Sequence, residues 1–166
     1  AEIREDESHV DHLEDILGTY LVKLSTQQIS DESSAQVAKL LKAIGDFERI
    51  SDHSVNVVES AEELHNKEII FTEGAKKEMD SLSSAVSEIL DLASIAFINN
   101  DLSIARKVEP LEQVIDELKA KMRDSHINRL QKGECSIEAG FVWTGLITNL
   151  ERTARELLMK DRKSVV

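Results

Sequence analysis

The stretch Ile44-Gly45-Asp46-Phe47-Glu48-Arg49-Ile50-Ser51-Asp52-His53-Ser54-Val55-Asn56 decides the fold. Its apolar residues recur every three or four positions, the spacing of one face of an α-helix. At about 100° per residue, Glu48 falls among Val37, Leu41, Ile44 and Val55, with Asp52 and Glu59 on the shoulder of that stripe. Glu48 and Asp52, four apart, stack on one side of the helix, on a face expected to be buried. A bare carboxylate there is costly unless something satisfies it. A bound metal ion would do so, and so would Arg49, Arg152 or backbone donors.

Outward from this stretch, helical periodicity continues in both directions. A first helix is expected over about 3–28, with Val10, Leu13, Leu17, Tyr20, Leu21 and Leu24 at helical spacing. The central helix should start at the Ser30-Asp31 cap signal and end near Leu64. A third follows a connector at 66–74. A fourth runs from Asp101 to about Leu130, with Pro110 expected to kink or restart it. A fifth runs from about Ile137 to Lys160. No strand alternation competes, so the fold class is all-α, an antiparallel helix bundle.

The 166 residues suit one domain with a sizeable core. No stretch is expected to approach the roughly 20 apolar residues needed to cross a bilayer. With no signal-peptide pattern and no initial Met, the chain reads as a soluble part excised from a longer protein. A net charge of −12 argues against nucleic acid and suits cations or basic partners. A lone Cys135 allows no internal disulfide, fits a reducing compartment and cannot build a thiolate zinc cage. The basic residues near the end, Arg152, Arg155, Lys160, Arg162 and Lys163, could touch anionic lipid but read first as a solvated terminus.

The chain repeats itself. Glu7-Ser8-His9-Val10-Asp11-His12-Leu13 aligns with Glu112-Gln113-Val114-Ile115-Asp116-Glu117-Leu118, and Ile44 to Arg49 aligns with Ile147 to Arg152. The domain thus divides into a first repeat over about 1–65, a linking helix over about 73–98 and a second repeat over about 101–163, as duplicated helical hairpins. Antiparallel packing would bring Glu7 and Asp11 opposite Glu48 and Asp52, the way acids project from facing helices in bundle metal sites. Oxygen ligation suits a divalent or trivalent metal ion: iron, manganese, magnesium or calcium, with zinc also admissible. His9, His12 and His53 are near enough to add nitrogen, and Gly18 and Gly45 would permit close backbone approach. The plain alternative is that these acids form solvated helix faces. In the second repeat Glu112, Asp116 and Glu151 persist, but Arg155 stands where the first has Asp52, so that set should be impaired.

Phe47 to Asn56, together with Val108-Glu109-Pro110-Leu111-Glu112-Gln113-Val114-Ile115-Asp116-Glu117-Leu118, resembles the paired helices of the PhoU family. The run His126 to Ser136 followed by Asn149 to Arg152 is similar to the cytosolic PhoU-like domain of bacterial sodium/phosphate cotransporters. The resemblance covers almost the whole chain and implies a six-helix fold whose first helix is missing here. It implies a regulatory module in phosphate transport or phosphate signalling, not an enzyme. It further implies metal at Glu48 and Asp52 with Glu7 and Asp11 opposite, and a weaker second set at Glu112, Asp116 and Glu151. A transporter membrane domain or a phosphate-signalling protein would be the partner, in the cytoplasm at the inner face of the membrane, with a homodimer also open. Two other classes fit the residues. One is a carboxylate-bridged di-metal enzyme of ferritin-like type, which needs paired Glu-x-x-His motifs where only Glu62-Glu63-Leu64-His65 is found. The other is a purely structural helical adaptor.

Overall fold

The computed structural model describes residues 1–158. Five helices follow one another: α1 Glu2–Ser25, α2 Asp31–Asn66, α3 Glu73–Asn99, α4 Leu102–Gln131 and α5 Ile137–Glu156. Side-chain oxygens start four of them. Ser30 accepts from Ser33 N–H, Thr72 from Ala75, Asp101 from Ser103 and Ile104, and Ser136 from Ala139. These bonds satisfy amide donors that a helix start leaves unpaired. Asn100 adopts a left-handed conformation, φ 50°, and lets α3 turn directly into α4.

Three expectations change. Helix α4 runs unbroken through Pro110, neither ending nor restarting there. Helix α5 stops at Glu156, and Lys160, its expected end, lies outside the described residues with Arg162 and Lys163. Helix α3 holds an 18-residue window of mean hydropathy 1.5, long and apolar enough by composition to cross a membrane. Its serines broke the run in the sequence. Here it lies along α4 and α5, with Leu82, Val86, Ile89, Ala93 and Ala96 buried.

Helices α3, α4 and α5 pack on one another and hold the main core. Val108, Ile115 and Met122 from α4 meet Trp143, Ile147 and Ala154 from α5 there. Helix α1 packs on α2 alone, and α2 joins this hairpin to the rest by running along α5. The repeat is therefore lopsided. The residues of α1 that correspond to Val108 and Met122 are Ile3 and Leu17, and both are exposed. In the hairpin only Leu21 and Val37 are fully buried. The difference lies in α3, which covers the α4–α5 hairpin, whereas among the described residues no helix covers α1 and α2 in the same way.

Candidate metal centre

Glu7 and Asp11 sit one turn apart on α1, and Asp52 faces them from α2. One carboxylate oxygen from each lies within 4.8 Å of the other two. Nearer the open end of the hairpin, the Arg4 guanidinium donates to both Glu62 oxygens at 2.8 and 2.7 Å. Glu48, one turn before Asp52, completes the group. Partial burial pushes its carboxyl above the usual range, and the charges of Asp52 and Asp11 push it the same way. Four acids from two helices thus converge, and the Arg49 charge offsets their repulsion at Glu48 only in part.

The burial expected from the stripe holds only in part. Glu48 and Glu7 are half-buried, whereas Asp52 and Asp11 are exposed. The cluster lies at the rim of the α1–α2 contact rather than beneath it, because the face beyond it is uncovered. Arg49 spends its hydrogen bonds elsewhere, donating to Asp46 at 2.6 Å and to Glu156 at 2.9 Å, and its charge acts on Glu48 less than burial and the neighbouring acids do. The histidines are also placed differently. His9 and His12 are exposed, and His53 turns toward α5, where burial and the Arg152 charge hold its imidazole below the usual value. The glycines are not needed for a close approach. A Cβ at Gly18 would make an ordinary 3.8 Å contact with Ile44, and one at Gly45 would meet nothing within 4 Å.

The second carboxylate set is built otherwise. Glu151 is 1% exposed and Glu112 8%, while Asp116 is exposed. Lys119 Nζ donates to Glu151 Oε2 at 2.7 Å, and the Arg155 guanidinium closes on Oε1 of the same group. Lys119 escaped the sequence reading. It lies seven residues beyond Glu112, and only the packing of α4 on α5 reveals that its ammonium reaches Glu151. As for the Glu-x-x-His segment, both Glu62 oxygens are taken up by Arg4, which leaves no paired motif of di-iron type among the described residues.

These features define a helix-bundle domain of duplicated hairpins, with an acid cluster on the first. The chain belongs to the PhoU domain family, which matches residues 1–61 and 79–157. It is 32% identical over 116 residues to "Phosphate-specific transport system accessory protein PhoU homolog 1" of Thermotoga maritima, a match covering 70% of this chain and 49% of that protein. It is 24% identical over 157 residues to "Putative inorganic phosphate export protein YjbB" of Escherichia coli strain K12, covering 91% of this chain and 28% of that protein. The protein of the same name from Salmonella typhimurium is 25% identical over 139 residues, covering 80% and 25%. The chain spans about half the length of the first relative and about a quarter of the other two.

Proposed function

We propose that this chain is a regulatory domain of phosphate transport or phosphate signalling that takes a metal ion between α1 and α2. Its ligands would be Glu7, Asp11, Glu48 and Asp52. The observation that carries the reading is the gathering of Glu7, Asp11 and Asp52 oxygens within 4.8 Å of one another, beside a Glu48 carboxyl strained upward in pKa. Adjacent oxygens on one cation stand about 3 to 4 Å apart and opposite ones about 4 to 5 Å when each bond is about 2.0 to 2.6 Å, so these three need only draw in slightly to share an ion. The donor set is all oxygen, which suits a hard or borderline ion such as iron, manganese, magnesium, calcium or zinc. The bound ion supplies positive charge that makes four close carboxylates tolerable.

The function would be exercised through shape. Without an ion the acids push α1 away from α2, and with one they draw the helices together. A partner that touches the hairpin would read which arrangement prevails. The names of the relatives, a transport-system accessory protein and a phosphate export protein, support a partner of transport or signalling type. Since the match fills only about a quarter of the export proteins, a place as the cytoplasmic portion of a larger sodium/phosphate cotransporter, held at the inner membrane face, suits the chain. No catalytic role is assigned to the acids.

Elemental analysis of the purified protein, joined to melting curves with and without chelator, tests this. Metal present at a hundred times its Kd should stabilise the fold by about 2.7 kcal/mol. The double variant Glu48→Gln/Asp52→Asn should lose both the metal and the chelator-sensitive part of Tm. If metal content and Tm are unchanged by these substitutions, the adaptor reading replaces this one.

A further inference from the structure

The two carboxylate clusters can be compared position by position. Glu7, Asp11, Glu14, Glu48 and Asp52 in the first hairpin correspond to Glu112, Asp116, Lys119, Glu151 and Arg155 in the second. Three positions keep their acid. The other two change from acid to base, and those two bases close on one carboxylate, Glu151, from opposite oxygens. Lys119 reaches it along α4 and Arg155 from one turn ahead on α5. Glu151 is almost fully enclosed, so a charge there needs a partner at short range. The place that a cation would take is filled by the chain's own ammonium and guanidinium.

We propose that the second hairpin is a self-neutralised counterpart of the first, held by Lys119 and Arg155 in place of metal, so that metal binding is confined to the α1–α2 hairpin. The inference rests on the metal reading above for its first-hairpin half only. Two consequences follow. The α3–α5 unit keeps its packing whatever the metal supply, because its buried acid carries permanent partners. The α1–α2 hairpin alone responds, and it moves against a rigid neighbour rather than a symmetric one.

The test uses the full 166-residue chain, equilibrium dialysis against Zn²⁺, and elemental analysis. Metal bound by the parent protein should vanish in Glu48→Gln/Asp52→Asn and stay unchanged in Glu112→Gln/Asp116→Asn. The exchange Lys119→Glu/Arg155→Asp should add a second set of bound metal. A parent protein that keeps about half its metal in Glu48→Gln/Asp52→Asn and loses that half when Glu112 and Asp116 are also neutralised would overturn the proposal. A second arm is measured in chelator and needs no metal. Lys119→Met should lower Tm strongly in the parent and much less in a Glu151→Gln background, where no charge needs a partner. Equal Tm losses in the two backgrounds overturn the proposal even when no metal binds at all, a result that would separately end the metal reading of the first hairpin.

Discussion

His126, on α4, is 8% exposed and lies against the α5 backbone at Gly140, with Cys135 Sγ 3.8 Å from its Nδ1. Arg129 stands one turn on, its guanidinium 5.4 Å from the centre of the Trp143 ring and paired with Glu78 at 2.9 Å. Burial holds the imidazole below its usual pKa, and the Arg129 charge adds to that, while Glu78 opposes it. The folded state therefore binds this proton less readily than the unfolded chain does. Stability from a neutral His126 is present above the ordinary histidine value of about 6.5 and is lost as pH falls below it, through the lowered native value. Melting curves between pH 7.5 and 5 should show Tm dropping less steeply for His126→Gln than for the parent. At this scale the acids of the first cluster were legible because four-residue spacing fixes a side chain's direction before any packing is known. Lys119 and His126 were not, because their partners lie on another helix and no rule of spacing names them.

The five helices were legible from periodicity, and the cap residues at Ser30 and Asp101 from their side-chain chemistry. What periodicity could not give was the closeness of each pair. Gly18 and Gly45 drew attention because they interrupt α1 and α2, yet neither is required by a neighbour. Gly140 is required: a Cβ built there would stand 2.5 Å from His126 Nε2, inside the crossing of α4 and α5. Gly140→Ala should destabilise the fold by about 1 to 3 kcal/mol, the usual range for overpacking. Gly45→Ala should be neutral or stabilising by up to about 1 kcal/mol, since alanine favours a helix where space is open. Urea unfolding of the two variants beside the parent measures both. The continuity of α4 through Pro110 belongs to the same lesson. Pro110 lies in the third turn of α4, so the bond it removes is an interior one, outweighed by the packing of the turns on either side, here anchored by Val108 and Ile115.

For the molecule as a whole, duplication in sequence has not given equal halves. Leu17 and Met122 hold corresponding places, yet one is 42% exposed and the other 2%. Met122→Ala should cost about 2 to 5 kcal/mol, as core truncations do, while Leu17→Ala should stay within about 1 kcal/mol. Equilibrium unfolding distinguishes them, and equal costs would mean that Leu17 is covered in solution. Hydrogen exchange should be faster along α1 than along α3, since elements with few buried contacts open at lower free energy. The repeat itself was visible in the sequence, but its asymmetry was not, because burial depends on what lies over a residue. Helix α1 has one neighbour, and a cylinder resting on one other can roll, whereas one wedged between two cannot. The Arg4–Glu62 fork grips only the outer end of that contact. The hairpin is thus held like a door on a single post, clamped at the Arg4–Glu62 corner, with Glu7 and Asp11 one to two turns in from that corner.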